Sequence, residues 1–110
     1  MTVNKLAEIL GATKLNVSNG ERVIETGYAG DLLSFVMGRA PENSAWFTIM
    51  TNVNILAVAT LTEVAVIVVC EDASVDESVI NKAKEQDINL IQTKQDIFSA
   101  IKRYIDEVKV

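Results

Sequence analysis

The chain has 110 residues, of which 49% are hydrophobic and 23% charged, and its formal net charge is −5. This composition is typical of a globular protein, and the length predicts one α/β domain over residues 1–110. The acidic balance and the scattered basic residues argue against a nucleic-acid partner, because phosphate binding needs clustered Lys and Arg. With a single cysteine, Cys70, the chain cannot form an internal disulfide.

The N-terminal segment has no long apolar run, so no signal peptide is expected. The longest uncharged stretch, residues 43–62, is interrupted by asparagine and threonine. This interruption favours a strand followed by a helix over a membrane span. We therefore expect a soluble, cytoplasmic protein that has no membrane partner.

The first quarter of the chain predicts a helix followed by a hairpin. Thr2 is expected to cap the helix, and Gly11 is expected to end it. The segments KLNVS and ERVIE then flank Asn19-Gly20, a dipeptide typical of the two-residue turn of a β-hairpin.

The rest of the chain predicts alternating strands and helices. DLLSFVMGR is expected to form a helix with Asp31 at its cap and an apolar stripe of Leu32, Leu33, Val36 and Met37. From residue 45 onward the order is strand, helix, strand, helix, strand, helix. The β-branched run VAVIVVC is typical of a strand covered on both faces. This order predicts an α/β fold with a mostly parallel sheet and flanking helices.

Polar side chains follow the predicted parallel strands. Thr51, Asn52 and Asn54 follow the first of them, Ser74 follows the second, and Thr93 follows the last. Ligands of open parallel sheets bind beyond the carboxyl ends of the strands, so these residues are candidates for one polar rim. The alternative is that Asn54, Ser74 and Thr93 only cap their helices. Both interpretations stay open at this point.

The segment GYAGDLLS, residues 27–34, is a second candidate. Its two glycines permit close approach of a ligand or partner to the backbone just before a helix. Asp31 and Ser34 fit a capping role or a binding role. With the polar rim, the candidate ligand-binding residues are Gly30, Asp31, Ser34, Thr51, Asn52, Asn54, Ser74 and Thr93.

No catalytic site, metal site or cofactor is predicted. The sequence has no histidine, which removes the commonest general base and leaves no Ser-His or Cys-His pair. Cys70 ends an apolar strand and is expected to be a buried, inert thiol. Glu71 and Asp72 are expected in a solvated loop, and no glycine-rich loop with a lysine follows any strand. We therefore expect a protein that is not an enzyme.

Four segments together resemble the DRTGG domain: GYAGDLLSFVM, AWFTIMTNVNILAVATL, VAVIVVC and NLIQTKQDIFSAIKRY. The likeness covers residues 3–107 and is closest in pattern to short, stand-alone members of the family. It implies an α/β fold, a dimerising or regulatory role, and no catalysis by the domain itself. Where longer members have the name-giving glycines and Asp-Arg pair, this chain has Met50, Thr51, Asn52 and Val53.

Two functions are consistent with these observations. The first is a non-catalytic regulatory or interaction module that self-associates as a homodimer, because the apolar fraction is high for so short a chain. Residues 27–34 and 45–60 are the expected contributors to that interface. The alternative is a sensor that binds a small-molecule effector, such as an adenine nucleotide, at the polar rim. A separate protein partner is a further expectation of the first function.

Overall fold

The computed structural model describes residues 1–108, which form five helices and five strands. The helices are α1 (Val3–Leu10), α2 (Leu33–Arg39), α3 (Asn54–Thr62), α4 (Glu77–Glu85) and α5 (Ile97–Val108). The strands are β1 (Thr13–Asn16), β2 (Thr26–Ala29), β3 (Ser44–Thr48), β4 (Val66–Val69) and β5 (Leu90–Gln92). Within this part of the chain, no helix is long and apolar enough to cross a membrane.

The strands form one sheet in the order β1-β5-β4-β3-β2. Neighbours from β2 to β5 pair in parallel, whereas β1 pairs with β5 in the antiparallel direction. Helices connect the parallel strands in turn, as the alternating pattern after residue 45 indicated. The predicted α/β fold with a mostly parallel sheet and flanking helices is confirmed.

The sheet lies between two layers of helices. Helices α2, α3 and α4 cover one face, and α1 and α5 cover the other. Strand β4 shows the arrangement most clearly, because Val66 and Val68 pack towards α1 and α5 while Ile67 and Val69 pack towards the opposite layer. All four residues of β4 are buried, so the predicted strand covered on both faces is confirmed.

The predicted hairpin at Asn19-Gly20 is wrong. Strand β1 pairs only with β5, and β2 pairs with β3 at the opposite edge of the sheet. The intervening segment, residues 17–25, crosses the sheet beside the amino ends of its strands. Both central residues of the predicted turn would need a positive φ, and neither residue has one.

Gly20 serves close packing instead of a turn. A side chain at this position would overlap the carboxamide of Asn4 on α1. The Gly20 carbonyl accepts a hydrogen bond from the Asn4 N–H at 2.9 Å, and the Arg22 carbonyl accepts one from the Val3 N–H at 3.1 Å. These carbonyls satisfy free N–H groups at the start of α1, which otherwise lack partners.

The ends of α1 agree with the sequence, whereas the apolar stripe of α2 agrees only in part. The Thr2 hydroxyl accepts the Lys5 N–H at 3.1 Å, and Gly11 ends the helix with a φ of 60°. On α2, Val36 is buried and Leu33 is partly buried against the core. Leu32 at the cap position and Met37 are 61% and 48% exposed, so only half of the predicted stripe packs on the sheet.

Candidate functional site

The candidate residues lie around the carboxyl edge of the sheet. Because β2, β3, β4 and β5 are parallel, their carboxyl ends meet at this edge. Gly30 and Asp31 follow β2, and the Thr51–Asn54 loop follows β3. Ser74 lies in the connection after β4, and Thr93 follows β5 directly. Ser34 lies apart from the strand ends, exposed within α2.

Gly30 and Asp31 fasten the end of β2 to β3. The Asp31 carboxylate accepts hydrogen bonds from the Thr48 hydroxyl at 2.7 Å and the Ile49 N–H at 2.9 Å. The Gly30 carbonyl accepts the indole N–H of Trp46 at 2.9 Å. Asp31 does not cap α2, because Leu32 occupies the cap position and makes no side-chain cap bond. The capping prediction for Asp31 is wrong, and its carboxylate joins the residue after β2 to the end of β3 instead.

The loop after β3 is closed by hydrogen bonds of its own. The Asn52 side-chain oxygen accepts the Asn54 N–H at 2.9 Å, and the Asn52 and Val53 carbonyls accept the N–H groups of Ile55 and Leu56. Helix α3 begins at Asn54, so the prediction that Asn54 caps this helix is wrong. The first N–H groups of α3 are thus already bonded, and they do not form an open cradle for a phosphate.

The turn after β4 is tight and acidic. Glu71 and Asp72 have φ values of 64° and 53°, and the Ala73 N–H donates to the Cys70 carbonyl. Ser74 is exposed, and α4 begins only at Glu77, so the predicted capping by Ser74 is wrong. The exposed carboxylates of this turn make the edge unfavourable for an anion.

Thr93 ties β5 to the N-terminal helix. Its buried hydroxyl donates to the Leu10 carbonyl at 3.2 Å and accepts the Gln95 N–H at 3.3 Å. The prediction that Thr93 caps α5 is therefore wrong. Asp96 has that role, because its carboxylate accepts the N–H and the hydroxyl of Ser99 at 3.0 Å and 2.6 Å.

Cys70 lies beneath the carboxyl edge and is fully buried, as predicted. Its thiol donates weakly to the Val68 carbonyl at 3.7 Å. Burial first, and then the carboxylates of Glu71, Asp31 and Asp96, raise the pKa of the Cys70 thiol to about 12. The thiolate, which is the nucleophilic form, is therefore negligible at neutral pH.

The structure thus joins some of the candidate residues and leaves others separate. Asp31 is linked through Thr48 to the loop that contains Thr51 and Asn52, because the Thr48 hydroxyl also accepts the Met50 N–H at 3.1 Å. Ser34, Ser74 and Thr93 have no hydrogen bond to that group within residues 1–108. Across the same residues, no three Cys, Asp or Glu side chains converge to hold a metal ion.

A groove beside the edge strand β2 was not predicted from the sequence. A half-open cavity of about 230 Å³ lies between the edge strand β2 and helix α5. It is mainly apolar, and the residues lining it include Gly27, Ala29, Phe47, Ile101, Tyr104 and Ile105. The only sequence signal for it is Gly27, whose missing side chain leaves room beside the rings of Phe47 and Tyr104.

Comparison with known proteins supports the fold. No family model matches the chain, and no curated protein matches it. A solved structure is similar, with a TM-score of 0.75, 16% sequence identity and coverage of 94% of this chain. It is the crystal structure of the CBS and DRTGG domains of the regulatory region of Clostridium perfringens pyrophosphatase, complexed with the activator diadenosine tetraphosphate.

The chain spans less than half of that structure, 46% of its length. At this level of identity, the likeness concerns the arrangement of strands and helices. The chain has an α/β fold of the kind found in the CBS and DRTGG domains of that regulatory region, which confirms at the level of the fold the resemblance seen in the sequence.

Proposed function

We propose that this chain is a non-catalytic regulatory module of the DRTGG type that self-associates as a homodimer. The observation that carries the proposal is the likeness, over 94% of the chain, to the regulatory region of a pyrophosphatase. The chemistry of the carboxyl edge agrees with a role other than catalysis. The Asp31 carboxylate is engaged in hydrogen bonds, the Cys70 thiol is buried and protonated, and the chain has no histidine to act as a base.

Self-association is supported by the apolar side chains at the surface. Large hydrophobic residues are exposed on α2 and α5, among them Phe35 at 53%, Phe98 at 78% and Ile105 at 49%. On α5, Phe98 and Ile105 lie on one side of the helix, and contiguous apolar surface on a small soluble protein commonly marks an interface. Most soluble oligomers are symmetric assemblies of identical chains, and the two-fold dimer is the commonest of them.

The test of self-association is sedimentation analysis of the purified chain from micromolar to submillimolar concentration. We expect a species of twice the chain mass of 12.0 kDa, in a fraction that grows with concentration. Increasing the salt concentration should leave the dimer intact, because an apolar interface is not screened by salt. A monomer at every concentration would contradict the self-associating module.

A second candidate function is a sensor of an adenine nucleotide at the polar rim. The observation that favours it is the activator diadenosine tetraphosphate in the complex of the similar regulatory region. The rim favours contacts with the adenosine part over the phosphates, because Asp31, Glu71, Asp72 and Asp96 outnumber Lys94 there. Exposed Asn52, Asn54 and Ser74 would supply donors and acceptors for a base or ribose.

A thermal unfolding scan against adenosine, AMP, ATP and diadenosine tetraphosphate tests the sensor. A ligand at 100 times its dissociation constant stabilises the folded state by about 2.7 kcal/mol, which raises the Tm of a domain of this size by about 10 °C. The Asn52→Ala variant lacks one polar side chain of the rim, and its Tm should not rise with the ligand if the rim is the binding site. An unchanged Tm with all four compounds would contradict the sensor and leave the dimeric module standing.

A further inference from the structure

The two edges of the sheet differ in their protection against pairing with another chain. Natural proteins block exposed edges with charged residues, especially lysine, and with β-bulges. Strand β1 has both devices, Lys14 on the strand and an irregularity in register between Lys14 and Asn16. Strand β2, with the sequence TGYA, has no charged residue, no proline and an unbroken register against β3. The β2 edge is therefore open to strand addition.

The backbone of β2 presents its free groups in a self-complementary pattern. The Gly30 N–H donates to the Phe47 carbonyl at 3.2 Å. Since successive residues of a strand direct their N–H and C=O groups to alternate sides, Tyr28 and Gly30 face β3. Gly27 and Ala29 then direct theirs away from the sheet. Two copies of β2 in antiparallel orientation can exchange two hydrogen bonds between the Gly27 residue of one and that of the other.

A two-fold axis through this pair passes beside Gly27. Residues at such a position form a hydrogen-bonded pair, with Cα atoms about 5.5 Å apart. Glycine suits this close approach, since it brings no side chain to the contact. The groove between β2 and α5 lies on the same face of the sheet as Gly27, because a Cβ atom there would contact Tyr104 and Phe47.

Helix α5 supplies apolar surface beside this groove. Phe98, Ile101, Ile105 and Val108 recur at three- and four-residue spacing and form one stripe of the helix. Phe98, Ile105 and Val108 are 78%, 49% and 40% exposed, whereas Ala100 and Tyr104 bury the other side of α5. A four-residue strand alone buries far less than the roughly 800 Å² per partner of a stable interface, so the stripe must contribute most of the area.

Charge also selects this surface for contact with an identical chain. Two copies with a net charge of −5 each repel one another unless they meet where the local charge is neutral. Strand β2 has no charge, and the charges of α5 balance within the helix. Lys102 pairs with Asp106 at 2.7 Å and Arg103 with Glu107 at 3.7 Å. The β2 edge with the α5 stripe is thus an uncharged surface flanked by neutralised residues.

We propose that a second copy of this chain docks on the β2 edge, with the two β2 strands antiparallel about Gly27 and the two α5 stripes packed across the junction. The inference rests on the proposed self-association and specifies its geometry. The assembly is one continuous sheet of ten strands, with the protected β1 strands at its two ends.

Cross-linking by an introduced cysteine tests the strand pairing. In Gly27→Cys the two sulfurs lie across the two-fold axis, and the Cα separation of about 5.5 Å allows a disulfide. The new Cβ has room, since its nearest neighbours, Tyr104 and Phe47, lie at 3.4 Å and 3.5 Å. The matched control is Ala29→Cys on the same face of β2, where the two Cα atoms are about 13 Å apart, beyond disulfide reach. Cys70 is buried and adds no background.

We expect a disulfide-linked dimer of Gly27→Cys under mild oxidation, seen by nonreducing electrophoresis and intact mass, and none with Ala29→Cys. Cross-linking of Ala29→Cys in place of Gly27→Cys would overturn the pairing. A second pair of variants tests the helix stripe by sedimentation. Ile105→Asp should yield monomers with an unchanged circular dichroism spectrum, whereas Leu61→Asp, at a side chain 67% exposed on α3, should remain dimeric.

These outcomes separate the geometry from the proposed function. If the unmodified chain is a monomer at every concentration, self-association itself fails. If the unmodified chain is a dimer but Gly27→Cys does not cross-link and Ile105→Asp stays dimeric, the β2 geometry fails while the dimeric module stands.

Discussion

Asn89 fixes the segment that crosses the sheet, residues 17–25, through hydrogen bonds made by both the oxygen and the nitrogen of its carboxamide. Its carboxamide oxygen accepts the N–H groups of Ser18 and Asn19 at 2.9 Å and 3.0 Å. Its NH₂ group donates to the carbonyls of Asn19 and Ala65 at 2.9 Å and 3.0 Å. The residue is only 5% exposed, so water cannot replace these partners. Asn89 therefore fixes the path from β1 to β2.

Replacing Asn89 with alanine should destabilise the fold strongly. The change removes the partners of backbone groups in Ser18, Asn19 and Ala65. The Ala65 carbonyl is buried, and loss of its partner costs about 1–3 kcal/mol, while each of the other three bonds contributes about 0.5–1.5 kcal/mol. We expect the free energy of unfolding to fall by about 3 kcal/mol or more, measured by urea denaturation. Asn52→Ala is the matched control, because the one hydrogen bond of its side chain within residues 1–108 is local and exposed. A loss no larger than that of the control would contradict the role of Asn89.

At the scale of elements, the sequence predicts best where the pattern is long and periodic. The order of strands and helices from β3 to α5 follows from apolar runs and amphipathic spacing, and each of these elements is present. The hairpin fails because Asn19-Gly20 is a local signal, whereas the path there is set by contacts with Asn4 and Asn89, which are distant in sequence. No short window of sequence contains those contacts.

The candidate site is predictable in location but not in the roles of its residues. Parallel strands bring their carboxyl ends together, so Thr51, Ser74 and Thr93 were expected at one edge, and they follow the strands there. Asp31, which was predicted as a helix cap, follows β2 at the same edge. The partners of their side chains depend on neighbouring loops. Asp31 bonds to Thr48 of the adjacent strand, and Thr93 bonds to Leu10 of the first helix.

Helix α5 starts at a charged cap whose strength depends on pH. Hydrogen bonds from the side chain and the backbone N–H of Ser99 lower the pKa of the Asp96 carboxyl below its usual value of 3.8. A carboxyl group whose pKa is lowered by folding stabilises the folded state at pH values above its pKa in the unfolded chain. The stabilisation is lost as the pH falls through the folded pKa.

Asp96→Ala should therefore lower the Tm at neutral pH and shift it progressively less as the pH falls below 3.8. Asp96→Asn is the matched control, since asparagine is also a good cap but does not titrate in this range. Thermal unfolding of the three proteins between neutral and strongly acidic pH measures the effect. A difference between Asp96→Ala and the unmodified chain that stays constant with pH would show that the charge has no part in the cap.

At the scale of the whole molecule, the connectivity of the sheet determines whether a crevice forms at its carboxyl edge. Crevices at the carboxyl edge of parallel sheets form where the strand order reverses and neighbouring connections leave in opposite directions. Here β2, β3, β4 and β5 lie side by side in chain order. Helices α2, α3 and α4 consequently all cover one face. The groove instead lies beside β2, where the sheet stops and α5 extends along its edge.

The antiparallel pairing of β1 with β5 has a consequence for synthesis of the chain. Thr13 pairs with Gln92, and the Leu10 carbonyl receives its hydrogen bonds from Thr93 and Gln95. The first strand therefore emerges from the ribosome long before its partner does, and it stays unpaired while the rest of the sheet is made. Lys14 lies in this early segment, so its charge opposes aggregation of the nascent chain as well as edge pairing of the finished protein.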